Sequence, residues 1–136
     1  MTRLIAGSDA GISTQARRLR LNWLAEDDPE RWRLEIRRLC TLPAERSFVG
    51  AYATIATQSG ETARGTVVME ELLRATNEED FTVLLDAGFL FSQANNAQRA
   101  ADLLLKARAK IPDTPPFNSE GFRKELDAEI LRLRTR

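Results

Sequence analysis

The sequence predicts an all-α fold: a single domain of about seven antiparallel helices over residues 12–136, behind a flexible arm at residues 1–11. Three observations carry that expectation. Apolar residues recur at steps of three and four through most of the chain. Cap and breaker residues, among them Asp28-Pro29, Ser59-Gly60, Asn95-Asn96 and Pro115-Pro116, punctuate the pattern at intervals suited to helices. No run alternates in the manner of a strand ladder, and connections of about two to eight residues make successive helices antiparallel.

Gly7, Ser8 and Gly11 are the breakers that define the arm. A first helix starts near Ser13, and Ile12, Ala16, Leu19 and Trp23 fall on one stripe of it, with Arg17, Arg18 and Arg20 largely elsewhere. Glu26 to Pro29 interrupt that stripe. Asp28 reads as the N-cap of a second helix with Pro29 in its first turn, where a missing N–H costs nothing, and Glu30 suits the positive end of the dipole. Trp32, Ile36, Leu39 and Cys40 form the apolar side of this helix. It ends near Thr41 to Pro43, because the residue before proline avoids helical geometry.

A third helix is expected from about Ala44 to Gln58, with Phe48, Tyr52, Ile55 and Ala56 on one side, ending at Ser59 and Gly60. The fourth covers about Thr66 to Ala75 with Val68, Leu72 and Ala75; threonine and valine at its start favour a strand locally. Glu78, Glu79 and Asp80 crowd the start of a fifth, FTVLLDAGFLFSQA, before Asn95 and Asn96 turn the chain. A sixth runs from Ala97 to Lys110 and stops at Ile111-Pro112, and the DTPP segment makes a stiff connector. The last helix, Ser119 to Arg134, carries Phe122, Leu126, Ile130 and Leu133 along one stripe and charge on the other.

Composition narrows the function classes. A chain of 136 residues with 43% apolar and 29% charged residues can bury a core without staples. One cysteine forbids an intramolecular disulfide, which makes a reducing cytoplasm the expected compartment. MTRLIAGSDAG lacks a signal-peptide core, and no apolar run approaches the roughly 20 residues a membrane helix needs. Twenty basic residues balance twenty acidic ones, so no bulk field attracts nucleic acid or anionic lipid.

Histidine is absent, which excludes Ser-His-Asp and Cys-His catalysis and removes the commonest nitrogen ligand of zinc. Arg37 lies one helical turn from Cys40 and would favour a thiolate, but Leu39 and Leu42 suggest a buried structural thiol. GETARGT at 60–66 has glycines spaced as in a phosphate-binding loop, yet lacks the lysine and a preceding strand. Glu26, Asp27, Asp28 and Glu30 lack the alternation and central glycine of a calcium loop and read as cap chemistry. Arg17, Arg18, Arg20, Arg31, Arg33, Arg37 and Arg38 could present a nucleic-acid face, but the acidic residues between them favour a solvated surface. Nothing in the sequence places two carboxylates in one pocket. No catalytic residue, cofactor or metal is expected.

One internal period stands out. Residues 81–114 place Leu84, Ala87, Gly88 and Phe91 in a first helix, Ala100, Leu104 and Ala107 in a second, and then Pro112. This order of large, small and aromatic residues resembles a tetratricopeptide repeat, a helix–turn–helix unit of about 34 residues. Gly88 and Ala100 would lack bulk where the two helices approach, with Leu84, Phe91 and Leu104 filling the space around them. Residues 49–80 give a weaker copy, in which Tyr52, Ile55, Ala56, Val68, Leu72 and Ala75 stand 32 residues before their counterparts and the closing proline is missing.

The resemblance implies a right-handed stack of helical hairpins. Its concave side, lined by the first helix of each pair, would receive a partner segment, and the last helix would act as a cap. Carried over by position, the groove candidates are Thr82, Leu85, Phe89, Ser92 and Gln93, with Ala53 and Thr57 in the weaker unit. Phe89 has two readings, core of a helix that is apolar nearly all round or binding surface. The surface offers Asp86 and no basic residue, which argues against a clamp for a peptide's terminal carboxylate. An apolar groove centred on Phe89 and Leu85 fits better. The implied function is non-catalytic: an adaptor or scaffold binding a protein or peptide partner, or, more narrowly, a cytoplasmic chaperone of a bacterial secretion-system subunit. The alternatives are a nucleic-acid-binding or regulatory module using the arginine-bearing first helix pair, a carboxylate-based helical enzyme, and a homo-oligomer.

Overall fold

A computed structural model describes the backbone of residues 10–136 and the side chains from Thr14 onward. Among the described residues it holds seven α-helices and no strand: α1 (Ala10–Asp27), α2 (Pro29–Cys40), α3 (Arg46–Gln58), α4 (Thr62–Ala75), α5 (Phe81–Gln93), α6 (Ala97–Arg108) and α7 (Glu120–Arg134). The arm expected at residues 1–11 lies outside the described residues, except that α1 already begins at Ala10.

Local chemistry sets most of the boundaries. The Asp28 carboxylate accepts from the Arg31 backbone N–H, Asp80 from Val83, Asn96 from Arg99 and Ser119 from Phe122, so four helices start on a side-chain cap. Leu42, ahead of Pro43, is extended, and a 3-10 turn at Pro43–Glu45 leads into α3. Asn77, Glu78 and Asn95 take left-handed backbone in the turns that precede α5 and α6.

Helices α1 and α2, α3 and α4, and α5 and α6 pair in sequence, and α7 packs on α6. Each pair touches the next: α2 meets α3 and α4, while α5 meets both α3 and α4. Ile36, Val49, Met69, Leu73, Leu84, Leu103 and Leu104 are shut off from solvent in one continuous core, each contributing about 1.5–3 kcal/mol of burial. Leu126, Ile130 and Leu133 extend that core onto α7, along the stripe expected from sequence. Phe122 joins Phe81 and Phe117 edge-to-face, with ring centroids 5.1–6.4 Å apart, which ties the connector to the start of α5.

Two tight helix crossings depend on glycine. A Cβ on Gly88 would stand 2.3 Å from Leu104 Cδ2, so α5 and α6 meet where the sequence places its small residue. The closer crossing is one the sequence reading missed. A Cβ on Gly65 would stand 2.0 Å from Thr57 Oγ1 and 2.8 Å from the Ala53 carbonyl oxygen. Helix α4 therefore begins at Thr62, a full turn before the expected Thr66, because packing of its first turn on α3 overrides the local strand preference of threonine and valine. In this pair the glycine sits on the second helix, in the α5–α6 pair on the first.

The expected apolar face of α1 is corrected. Leu21 and Leu24 are the buried residues, whereas Leu19 is 69% and Trp23 62% exposed and Ala16 is exposed as well. The orientation is held by Arg17, which pairs with Glu45 and lies over the Phe48 ring at 3.9 Å, so a charged residue occupies the inward flank.

Candidate functional site

An open depression, a groove of about 520 Å³, lies between α3 and α5. Its width follows from side-chain size. The face of α3 toward α5 carries Ser47, Gly50, Ala51 and Thr54, too short to fill the space, and beneath them lie Met69 and Leu72 of α4, themselves buried in the core. Thr54 Oγ1 donates to the Gly50 carbonyl at 3.0 Å, which leaves its hydroxyl oxygen toward the groove without a demand for another acceptor. Val83 and Thr82 form the α5 side, and Ile55 the rim.

Charge is distributed unevenly along it. Arg46 sits at the α3 N-terminal end with its Nε donating to the Cys40 carbonyl oxygen at 2.9 Å. Asp80 and Asp86 stand on the α5 side. Asp80 serves as helix cap. Asp86 makes no ion pair and no side-chain hydrogen bond among the described residues, and desolvation by the groove walls, followed by the Asp80 charge, pushes its carboxyl above the usual aspartate range. The expectation that no basic residue borders this surface is corrected by Arg46, which lies outside both repeat units, 49–80 and 81–114. The sequence also placed no two carboxylates in one pocket; the fold brings Asp80 and Asp86 into one.

The groove candidates separate into three settings. Thr82, Asp86, Phe89 and Gln93 follow at steps of four, three and four along α5 and are all exposed, so this stripe faces outward. Thr82 lines the α3–α5 groove. Phe89, 44% exposed and so not a core residue, instead lines a shallower depression of about 220 Å³ with Phe122 and Leu126 of α7. Leu85 is half-buried against the core and Ser92 half-buried; neither they nor Gln93 line either depression. Ala53 and Thr57 are corrected outright: at 0% and 8% exposure they form the α3 side of the Gly65 crossing and are closed to any partner.

A third depression of about 290 Å³ lies between α1 and α3, where Leu19, Tyr52 and Ile55 meet Arg18, Glu61 and Arg64. Ile55 therefore divides it from the α3–α5 groove. Its wall is stiffened by a polar chain in which Trp32 Nε1 donates to Tyr52 Oη at 3.2 Å and Tyr52 Oη donates to Asn22 Oδ1 at 2.9 Å.

The arginines of the first pair are largely engaged within the fold. Arg17 pairs with Glu45, Arg20 and Arg38 with Glu35, and Arg33 and Arg37 with Glu71. Burial pushes the Glu71 carboxyl up, but the Arg37 hydrogen bond and the charges of Arg37, Arg74 and Arg33 outweigh it and hold it below the ordinary value. Cys40 is 1% exposed, and burial, followed by the Glu71 charge, drives its thiol up to about 12. Arg37 serves Glu71, and burial disfavours a thiolate at Cys40 near neutral pH. Among the described residues no three His, Cys, Asp or Glu side chains are placed to hold a metal ion, and no helix is long and apolar enough to cross a membrane. Comparison with protein-family models, with curated proteins and with solved structures finds no match.

Proposed function

We propose that the chain is a non-catalytic interaction module that binds a segment of a protein partner in the groove between α3 and α5. The observation that carries this reading is the groove itself: about 520 Å³ of open space with charged ends, within the roughly 300–1,000 Å³ range of ligand clefts. Its walls are the first helices of two successive pairs, the location that the resemblance to tetratricopeptide repeats implies for a binding surface. An adaptor or a small chaperone would each use such a groove. The paired arginines of α1 and α2 weigh against a nucleic-acid face, because their charge is already compensated within the fold. Asp80 and Asp86 are the one feature favouring acid–base catalysis, and Asp80 is held as a helix cap.

The test is affinity capture from native extract with the wild type, Ala51→Trp and Phe89→Ala, each checked for wild-type helicity and melting. Ala51 is exposed on the groove wall, so an indole there fills the space without entering the core. A partner kept by the wild type and lost with Ala51→Trp supports the reading. A partner indifferent to Ala51→Trp overturns it, and salt-sensitive recovery of nucleic acid would move the function to the arginines.

A further inference from the structure

The groove's charges specify what kind of segment it takes. Glu35, Glu71 and Glu78 each face a cation of the chain, Arg38, Arg37 and Lys106 respectively, and are held below the ordinary carboxylate value. Asp86 has the opposite surroundings. It stands exposed on the groove beside the like charge of Asp80, and among the described residues it has no cation within ion-pair distance. Arg46, the one basic residue on the groove, lies beyond that distance and is anchored to the Cys40 carbonyl. An uncompensated carboxylate lining a groove is stabilised by an incoming cation.

We propose that the α3–α5 groove selects a partner segment that sets an apolar side chain against Ala51 and Ile55 and a lysine or arginine against Asp86, with Asp80 adding to the attraction. A carboxylate-bearing segment would meet two like charges there and be rejected. The inference rests on the groove reading above and adds to it the sign of the partner's charge.

Three fluorescein-labelled peptides of equal length decide it, one alternating leucine with lysine, one leucine with glutamine, one leucine with glutamate. Each is titrated by fluorescence anisotropy at about 0.15 M salt, where long-range attraction is screened. The full chain should bind the lysine peptide roughly tenfold more tightly than the glutamine peptide, and the glutamate peptide most weakly. Asp86→Asn should bring the lysine and glutamine peptides to near parity. Asp102→Asn, the same charge change on the exposed side of α6, should leave the preference intact. Ala51→Trp should weaken all three.

Equal binding of the lysine and glutamine peptides, or a lysine preference that survives Asp86→Asn or falls equally with Asp102→Asn, overturns the charge selection. If Ala51→Trp still blocks binding in those cases, the groove reading stands without it. No binding by any peptide, or binding indifferent to Ala51→Trp, overturns both.

Discussion

Replacing Gly65 by alanine places a methyl group where the α3–α4 crossing has no room. The new carbon would stand 2.0 Å from Thr57 Oγ1 and 2.8 Å from the Ala53 carbonyl oxygen, whereas ordinary contact begins near 3.4 Å. Thr57 can turn aside only by breaking its 3.0 Å hydrogen bond to Ala53, and the Ala53 carbonyl, being backbone, moves only with α3. Overpacking of this kind costs about 1–3 kcal/mol, and the better helix propensity of alanine offsets about 1 kcal/mol. Because part of the obstruction is backbone, the steric cost lies at the top of that range, about 3 kcal/mol, and the offset leaves an expected loss of about 2 kcal/mol, or about 8 °C in Tm.

Two other glycines calibrate the measurement. Gly88→Ala meets the Leu104 side chain at 2.3 Å with backbone no nearer than 3.5 Å, and should cost about 1 kcal/mol. Gly121→Ala meets nothing within 4 Å and should stabilise by about 0.5 kcal/mol. Urea melts followed by far-UV circular dichroism rank the three. In the double variant Gly65→Ala with Thr57→Ala, the hydroxyl obstruction disappears while the carbonyl one stays, so part of the loss should be recovered as a coupling of about 1 kcal/mol. Gly65→Ala melting at or above wild type would refute the reasoning, since the crossing could not then be as close as described.

Tyr52→Phe removes the hydroxyl that accepts from Trp32 and donates to Asn22; leaving the buried indole N–H without a partner should cost about 1–3 kcal/mol, read by urea denaturation. Glu71→Gln should destabilise the chain by about 1–2 kcal/mol at neutral pH, a buried-pair loss discounted because Arg33, Arg37 and Arg74 are more than half exposed. Because the Glu71 carboxyl is lowered from 4.5 in the fold, its contribution is complete above that value and fades as pH falls through the lowered one; the wild-type advantage over Glu71→Gln should shrink in acid melts below pH 4.5. Cys40, with its thiol near 12, should resist alkylation by iodoacetamide at neutral pH until urea unfolds the chain, as mass spectrometry would record.

Much of this architecture is legible in residues that act locally. Asp28-Pro29, Asp80, Asn96 and Ser119 mark helix starts because a cap depends on a few neighbouring atoms. Trp32, Ile36, Leu39 and Cys40 form a single clean stripe and are all buried. Helix α1 was misread because it carries leucines or tryptophan on opposite sides, and periodicity alone cannot say which side a neighbour covers. The deciding contacts, Arg17 with Glu45 and Phe48, join residues 28 and 31 positions apart. Gly65 falls just ahead of the helix expected from Thr66 for the same reason: its need for hydrogen in place of a side chain is set by Ala53 and Thr57 across the hairpin. The groove was half legible. Exposure along Thr82, Asp86, Phe89 and Gln93 follows from helical phase, whereas Arg46 and Met69 enter it only through the stacking of three helices.

The two indoles differ enough to make the chain its own optical instrument. Trp32, 7% exposed and bonded to Tyr52, should emit toward the blue and shift only when the interior opens. Trp23, 62% exposed on the outer side of α1, should emit toward the red and be quenched readily by iodide. A ligand covering α1 would shield one emitter and spare the other, so a single titration tells docking on that helix from unfolding without any attached dye.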